Sequence, residues 1–444
     1  MKKLIELIQK SNIIEMKDKS NIIAIYNRKN ENEFLIRWSE ETVNEDEIYD
    51  IFDKILKETT IDIFFDGKKY EKETLKVIEL FAGVGCQRQA LKNANIPHEV
   101  IGISEIDKYA IDSYNQLHGK THNFGDISKI EELPQADLWT YSFPCQDISV
   151  AGNQKGIKEG TRSGLLSQVE RLLEVSKKPK YLLLENVKNL VSKKFKPDFD
   201  KWCDKLEEMG YTNYWQVINA RNQGIPQNRE RVFMISILGE HIPFKFPEKV
   251  ELKLRLKDIL EKEVEEKFYI NKPWHFTKEN EPKHNLSEIA KIDGKGFVQC
   301  RTVSNINLYS KCLDTMTGGQ REPKILVREE GYKETFVGKK YEKFIQKEGF
   351  IPEMFNPYNS KEIKDIAPLQ TTQCGSTTSS ATVLKYSDDL RVRKLTPKEC
   401  WRLMGWKDEQ FSKIKGISNS QLYKQAGNGI VVNVLEKIFK NMFK

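Results

Sequence analysis

The sequence predicts an α/β protein with a doubly wound, mostly parallel sheet, a smaller irregular domain and an N-terminal α/β extension. Strand and helix patterns alternate from about residue 75 to residue 184, as they do when helices cover both faces of a parallel sheet. This rhythm is lost after about residue 245. The 444 residues allow two or three domains at roughly 150 residues each.

The composition is that of an ordinary soluble folded protein. Hydrophobic residues make up 39% and charged residues 31% of the chain, which excludes collagen-like and disordered polar chains. The sequence contains no run of 18 apolar residues and no signal-peptide pattern near its start, so we expect a cytoplasmic protein. The seven cysteines include no C-x-x-C pair, which argues against a disulfide framework and a structural zinc site.

The net charge of +7 is unevenly distributed along the chain. Residues 1–75 hold 13 Lys and Arg against 17 Asp and Glu, a net −4, which leaves +11 for the remainder. A basic region of this kind is where a polyanion binds. Charge alone does not establish nucleic-acid binding, so the motifs must decide.

Residues 1–72 are predicted to form a small α/β extension. Short strands are predicted at Asn21–Ile25, Glu33–Trp38 and Ile61–Phe65, with a helix at Asn44–Glu58. No catalytic pattern is found there. The extension is therefore either a regulatory or partner-binding module or a stabilising addition, and its negative charge argues against direct contact with a polyanion.

Residues 73–245 are the predicted catalytic domain. Its predicted strands are Lys76–Leu80, Val100–Ser104, Asp137–Ser142, Tyr181–Leu184 and Val232–Ile237, and its predicted helices are Gln87–Ala94, Lys108–His118 and Leu165–Ser176. Ligands of such sheets bind beyond the carboxyl ends of the strands. The functional residues are therefore expected directly after these strands.

Residues 246–390 are predicted to form the second, less regular domain, and residues 391–444 to return to the first. A charged helix is predicted at Val250–Lys267, before a segment rich in Thr, Ser, Gly and Asn. The C-terminal helices are predicted at Pro397–Met404, Ser420–Lys424 and Ile430–Asn441.

Two glycines follow the first strand of the catalytic domain, in Phe81-Ala-Gly83-Val-Gly85. They let a ligand approach the backbone closely. Arg88 stands where a dinucleotide fingerprint has its third small residue, which argues against a nicotinamide cofactor. Glu105, at the end of the next strand, has the spacing of a carboxylate that binds ribose hydroxyls, so a nucleoside-containing cofactor is predicted.

Later strand ends carry further candidate groups. Asp126 either accepts a hydrogen bond from an adenine amino group or caps a loop. Cys145, held after Pro144 at a strand end, is a candidate nucleophile, although a buried structural cysteine is the commoner fate of a lone cysteine. The polar loop Gln146–Gly164 is suited to closing over a site.

An acid and two guanidinium groups are predicted at the same edge of the sheet. Glu185 ends an apolar strand, and such surroundings raise the pKa of a carboxyl and favour a role as proton donor. Arg229 and Arg231 precede the strand Val232–Ile237; the alternative for them is an exposed charged turn.

Taken together, these motifs resemble those of the DNA (cytosine-5)-methyltransferases of bacterial and phage type. Six blocks occur in the order of that family, over residues 75–245 and 391–444. The blocks are Phe81-x-Gly83-x-Gly85, Pro144-Cys145-Gln146, Glu185-Asn186-Val187, Gln227-x-Arg229-x-Arg231, residues 393–405 and residues 425–433. The resemblance implies the fold of S-adenosylmethionine-dependent methyltransferases and methyl transfer to C5 of cytosine in DNA.

The resemblance also implies roles for individual residues. Cys145 would attack C6 of a cytosine flipped out of the duplex, Glu185 would stabilise or protonate N3, and Arg231 would hold O2 with support from Arg229. The implied DNA contacts are Gln146, Ser149, Arg162 and Gln227. The implied S-adenosyl-L-methionine contacts are Phe81, Ala82, Gly83, Gly85, Glu105, Ile106, Asp126, Ile127, Pro144 and Asn428. Ile106 departs from a common Trp of the family, but an aliphatic face still packs on adenine.

The implied partner is double-stranded DNA, which a monomer of the protein would bind. Neither a membrane nor a metal ion is expected to take part. The enzyme would belong to a restriction-modification system with a cognate endonuclease, or it would be an orphan or phage enzyme. Residues 246–390 are placed like the target-recognition domain of the family, which reads base edges in the major groove. One alternative is a cytosine-5 methyltransferase acting on tRNA, against which the length of this domain argues. Another is a catalytically inactive DNA-binding protein, against which the set Cys145, Glu185 and Arg231 argues.

Overall fold

The computed structural model describes most of the chain from residue 74 onward and four strands before it. The described residues are 22–27, 32–37, 61–65, 68–69, 74–144, 165–270, 272–277, 287–294, 297–316, 321–328, 343–344, 347–348, 354–356, 361–362, 384–385 and 390–443. The chain separates into two compact units, residues 1–75 with 443–444 and residues 76–442.

The smaller unit contains a four-stranded antiparallel sheet. Its strands are β1 (Ile22–Asn27), β2 (Asn32–Arg37), β3 (Ile61–Phe65) and β4 (Lys68–Lys69). The order is β2-β1-β3-β4, with β1 paired to β2 on one side and β3 on the other. The predicted helix Asn44–Glu58 lies outside the described residues.

A six-stranded sheet forms the centre of the larger unit. Its strands are β5 (Leu75–Leu80), β6 (His98–Ser104), β7 (Leu138–Tyr141), β8 (Tyr181–Val187), β9 (Tyr211–Asn219) and β10 (Glu230–Leu238), in the order β6-β5-β7-β8-β10-β9. β5, β7 and β8 are parallel, whereas β10 runs antiparallel to both β8 and β9. The start of β10 therefore lies at the same edge as the ends of β7 and β8.

Four helices belong to this part of the fold; the first three are close to the predicted positions, and the fourth was not predicted. They are α1 (Cys86–Asn93), α2 (Lys108–His118), α3 (Leu166–Val175) and α4 (Lys196–Glu208). α2 begins where it does because the Asp107 carboxylate accepts hydrogen bonds from the first free amides, those of Tyr109 at 2.9 Å and Ala110 at 3.4 Å.

The core beneath the sheet is closed by large aromatic side chains. Tyr141 at the end of β7 is fully buried, and its hydroxyl accepts a hydrogen bond of 3.0 Å from the Trp202 indole of α4. Burial of side chains of this size contributes about 2 to 3 kcal/mol each. The sheet edge that carries the candidate residues is thus anchored from below.

Residues 246–390 contain more regular structure than the sequence predicts. The strands of this part and its border are β11 (Trp274–Phe276), β12 (Glu288–Ile292), β13 (Thr302–Ser304), β14 (Lys324–Arg328), β15 (Met354–Asn356), β16 (Lys361–Glu362), β17 (Leu384–Lys385) and β18 (Leu390–Lys394), with one short helix, α5 (Val298–Arg301). The strand orders are β11-β12-β13-β14-β18 and β16-β15-β17. Strands of two to five residues are too short to give a periodic pattern.

The predicted helix Val250–Lys267 is wrong. The structure has only two short 3₁₀ turns there, Leu256–Ile259 and Glu266–Phe268. Backbone amides of the segment bond to distant groups instead: Leu256 and Lys257 donate to the carbonyls of Leu308 and Ile306. Tertiary hydrogen bonds therefore override the helical propensity of this charged stretch.

The last part of the chain returns to helices. They are α6 (Pro397–Arg402), α7 (Asp408–Phe411), α8 (Asn419–Asn428) and α9 (Val432–Met442). α6 starts with a capping box in which Thr396 and Glu399 bond reciprocally. The buried Glu399 carboxylate also accepts two hydrogen bonds of 2.8 Å from Arg393 of β18. Of the helices in the described part of the chain, none has the length and apolar character that crossing a membrane requires.

Candidate active site

The glycine turn follows β5 and adopts an unusual backbone. Phe81, Gly83 and Gly85 have φ angles of 57°, 56° and 78°, a region that L side chains rarely adopt. A side chain at Gly85 would also collide with His118 and Tyr114, at 2.6 Å. A Cβ at Gly83 would meet no atom within 4 Å. The turn thus leaves open space at Gly83, where a ligand can approach the backbone.

The Glu105 carboxylate lies against this turn. One of its oxygens accepts a hydrogen bond of 2.8 Å from the Gly83 amide, and the other accepts bonds of 2.9 Å from the amides of Ile106 and Asp107. Ile106 beside it is 73% exposed. An anionic acceptor and an apolar surface therefore flank the open space, which fits the ribose and the adenine of a nucleoside cofactor.

Asp126 shows the loop-capping role that the sequence left open. Its carboxylate accepts hydrogen bonds from the Ser128 amide at 3.0 Å and the Ser128 hydroxyl at 2.8 Å, and these bonds lower the pKa of Asp126. Ile127 is buried behind it. An adenine contact would have to coexist with this cap.

A buried polar network lies beneath the glycine turn. The Glu79 carboxylate of β5 accepts hydrogen bonds from the Tyr114 hydroxyl at 2.5 Å and from the Arg88 amide, in the first turn of α1, at 2.8 Å. Arg88 itself donates to the Thr121 hydroxyl. Desolvation raises the pKa of Glu79 to about 7, although Tyr114 and Arg88 oppose it. Gly85, the residue before α1, has no side chain to cap the helix. The Glu79 carboxylate caps α1 instead, by accepting the Arg88 amide.

This network gives a prediction for pH and stability. A carboxyl whose folded pKa is raised binds its proton more tightly than the unfolded chain does, so stability falls as pH rises from 4.5 to about 7. We expect Glu79→Gln, which removes the ionisation, to abolish about 2 kcal/mol of this loss between about pH 5.5 and pH 8. Urea unfolding at both pH values measures it, with exposed Glu131→Gln as control. An unchanged pH dependence in Glu79→Gln would contradict the prediction.

The chain leaves β7 towards the candidate nucleophile beside the end of β8. Phe143 is buried, and its carbonyl accepts a hydrogen bond of 3.1 Å from the Asn186 side chain. Pro144 is the last described residue before a gap. Cys145, Gln146, Ser149 and Arg162 lie outside the described residues, so the structure fixes only where the segment starts.

Glu185 and Arg231 form an ion pair at this edge. The Arg231 Nε atom lies 3.3 Å from a Glu185 carboxylate oxygen. In the antiparallel register Arg231 is opposite Val187 and Phe233 opposite Glu185, so the two side chains are diagonal neighbours on one face. Desolvation raises the pKa of Glu185, although Arg231 and Arg229 oppose it. The pair therefore combines a protonatable acid with a fixed cation.

Arg229 is buried and holds three segments together. Its guanidinium donates hydrogen bonds of 2.8 to 2.9 Å to the carbonyls of Leu313, Gly427 and Gly429. A Cβ at Gly427 would lie 1.8 Å from the Asp314 carbonyl oxygen, so the chains meet very closely there. Arg229 thus holds the backbone at Leu313, Gly427 and Gly429 in place beside the Glu185–Arg231 pair.

The structure corrects the expected DNA contact of Gln227. Its side chain is fully buried, with its amide donating 2.8 Å to the Leu403 carbonyl and its oxygen accepting 3.2 Å from the Leu313 amide. With both ends of the amide bonded inside the protein, Gln227 braces the fold and is not available to DNA.

Asn428, at the end of α8, is exposed between the two glycines whose carbonyls bind Arg229. A Cβ at Gly429 would lie 3.3 Å from the Cys86 sulfur at the start of α1. The C-terminal motif therefore lies beside the glycine turn, as its predicted cofactor contact requires.

Cys312 is a member of the site that sequence reasoning missed. Its sulfur lies 3.9 Å from both Nη atoms of Arg231 and 3.7 Å from Nη1 of Arg229. No local pattern marks it, because the contact joins residues more than 80 positions apart. Within the described ranges, no group of three His, Cys, Asp or Glu side chains is arranged to hold a metal ion.

Comparison with known proteins gives a consistent result. The family model for C-5 cytosine-specific DNA methylase matches residues 75–444. The Type II methyltransferase M2.ScrFI of Lactococcus lactis subsp. cremoris is 37% identical over 428 residues, covering 83% of this chain and 99% of that protein. The orphan methyltransferase M.SPBetaI of Bacillus phage SPbeta is 31% identical over 448 residues, covering 83% and 97%.

Solved structures share the fold. The S. pombe Dnmt2 methyltransferase aligns with a TM-score of 0.53 at 21% identity, over 82% of this chain and 97% of that chain. The Entamoeba histolytica methyltransferase EhMeth aligns with a TM-score of 0.55 at 17% identity, over 84% and 98%. These similarities confirm the predicted α/β fold class.

Proposed function

Because the chain belongs to the C-5 cytosine-specific DNA methylase family and is thereby a DNA cytosine-5 methyltransferase, we propose that it methylates cytosine within one short duplex sequence through a covalent cysteine adduct. The observation that carries this proposal is the Glu185–Arg231 pair at 3.3 Å, beside the point where the chain leads into Cys145. The similar type II and orphan methyltransferases support a role in a restriction-modification system or as an orphan enzyme.

The cofactor in this proposal is S-adenosyl-L-methionine, which supplies a methyl group on a sulfonium sulfur. The space at Gly83, the Glu105 carboxylate and the exposed Ile106 fit its adenosine part. Phe81, Ala82, Gly85, Asp126, Ile127, Pro144 and Asn428 complete the proposed cofactor set. Holding cofactor and base together removes much of the entropic barrier to reaction.

The protein residues activate the cytosine ring. The Cys145 thiolate adds to C6, Glu185 holds a proton at N3 as charge builds on the ring, and Arg231 binds O2. The resulting enamine attacks the methyl group through C5, the bond between the methyl carbon and the sulfonium sulfur breaks, and the neutral thioether S-adenosylhomocysteine is left. Loss of the C5 proton then restores the ring double bond and breaks the bond between C6 and sulfur. The raised pKa of Glu185 suits a carboxyl that must carry the proton.

This chemistry requires the base to leave the helix stack. We propose that the loop 146–164 closes on the flipped base, with Gln146, Ser149 and Arg162 contacting DNA. We infer that residues 246–390 read the DNA sequence. Their segment 311–316 reaches Arg231, which places this domain beside the base that reacts. Recognition and chemistry thus meet at one edge of the sheet.

The polymer can be tested directly. Purified protein is incubated with S-adenosylmethionine carrying a labelled methyl group and with either duplex DNA or tRNA, and label incorporated into each polymer is counted. We expect incorporation into DNA only. Incorporation into tRNA alone would overturn the DNA assignment while keeping the cytosine-5 chemistry.

The cofactor assignment predicts a binding defect for Glu105→Ala. We expect S-adenosylmethionine affinity, measured by calorimetry, to fall about tenfold or more, because a charge-assisted hydrogen bond to the ribose is lost together with the bond to the Gly83 amide. Exposed Glu131→Ala should bind normally. An unchanged affinity would remove Glu105 from the site.

A further inference from the structure

Cys312 occupies an unusual place for a cysteine. The segment 311–316 carries it to Arg231, where its sulfur lies 3.9 Å from both Nη atoms. The residue as a whole is exposed, whereas Cys86 and Cys400 are buried. Its sulfur thus faces the candidate reaction site from the recognition domain.

The backbone around Cys312 is held firmly. The carbonyl of the next residue, Leu313, accepts 2.8 Å from Arg229, and its amide donates 3.2 Å to the Gln227 side chain. Gly427 permits the close approach of Asp314. Because both backbone polar groups of Leu313 are bonded, the backbone next to Cys312 is fixed by the fold.

The Arg231 guanidinium is consequently held along two of its edges. Its Nε atom faces the Glu185 carboxylate at 3.3 Å, its Nη1 atom donates a hydrogen bond of 2.8 Å to the Glu230 carbonyl, and both Nη atoms lie 3.9 Å from the sulfur. Thiol sulfur is a weak hydrogen-bond acceptor, so an oxygen acceptor can replace it at little cost. Of these contacts, the one with the sulfur is therefore the easiest for a base oxygen to replace.

We propose that Cys312 is a positioning residue for Arg231, and that its sulfur holds the place on the guanidinium that the carbonyl oxygen of the target pyrimidine takes in the complex. This inference rests on the proposed function. Electrostatics support it: desolvation raises the pKa of Cys312, but Arg231 and Arg229 outweigh it and leave the pKa lowered. Further charged groups near this segment are Lys311, Asp314, Glu322 and Lys324.

Three variants test the proposal through acceptor strength. Cys312→Ser keeps a weak acceptor and should retain kcat/KM for DNA within about threefold. Cys312→Ala removes the acceptor, so that Arg231 must be ordered on binding, and it should raise the KM for DNA about fivefold, less than a full hydrogen bond to a charged group contributes, because sulfur is a weak acceptor. Cys312→Asp supplies an anion that competes with the base for Arg231 and should lower kcat/KM about a hundredfold.

Controls separate positioning from folding. The melting temperature and the S-adenosylmethionine affinity should stay at the wild-type values in all three variants, and Cys300→Ala, in the neighbouring helix α5, should behave as wild type. Losses of activity that follow the melting temperature, or equal activity in all three variants, would overturn the role of Cys312. Failure of the wild-type protein itself to methylate DNA would instead overturn the proposed function.

Discussion

The Cys145→Ala variant is expected to transfer methyl groups at least about four orders of magnitude more slowly than the wild-type protein. Loss of a catalytic nucleophile has effects of this size, and without addition at C6 the C5 carbon is too weak a nucleophile to attack the methyl group. S-adenosylmethionine affinity should be nearly unchanged, because the glycine turn and Glu105 are untouched. Methyl transfer to DNA and calorimetric titration of the cofactor measure the two quantities.

A matched control is Cys203→Ala, which removes a half-buried thiol of α4. It should transfer methyl groups at the wild-type rate. A Cys145→Ala protein that still turned over would show that the adduct forms elsewhere or not at all, and the proposed mechanism would have to be abandoned.

The Glu185→Gln variant is expected to show the second largest effect, a fall in kcat of about two to four orders of magnitude, as for other general acids. Glutamine keeps the volume and a hydrogen bond but cannot deliver a proton to N3. Steady-state methyl transfer measures the loss. Glu230→Gln is the control, since Glu230 precedes Arg231 but pairs with Lys188 on an exposed surface.

The pH profile provides an independent check on Glu185. Because burial raises its pKa, the protonated acid persists to a higher pH than an exposed glutamate allows, and kcat of the wild-type protein should fall as pH rises through that pKa. The residual activity of Glu185→Gln should lack this limb. A profile that falls in the same way at high pH in both proteins would assign the titration to another group.

The catalytic fold was predictable because its signals are local. An apolar strand such as Tyr181–Val187 and a well-capped helix such as Lys108–His118 can be predicted from the few residues that form them. The stretch 250–267 is the opposite case, since its propensity is helical but distant carbonyls at 306 and 308 bind its amides. Single-sequence reasoning has no access to such partners.

Some residues of the site were likewise predictable from local sequence, whereas others depend on distant contacts. Glu185 and Arg231 were identified because each lies where a strand meets the sheet edge. Gln227 has the same local setting, yet its partner Leu403 lies 176 residues away and buries it. Cys312 reaches Arg231 across 81 residues. Residues whose roles depend on contacts between distant parts of the chain could therefore not be assigned from the sequence.

This chain is proposed to methylate C5 of cytosine within a defined duplex sequence. Base-resolution cytosine sequencing of unmethylated plasmid DNA, after incubation with the protein and S-adenosylmethionine, tests it most directly, with a reaction lacking cofactor and one with Cys145→Ala as controls. We predict methylation at one short recurring sequence in the wild-type reaction only. DNA left unmethylated by a protein that binds the cofactor would contradict the claim.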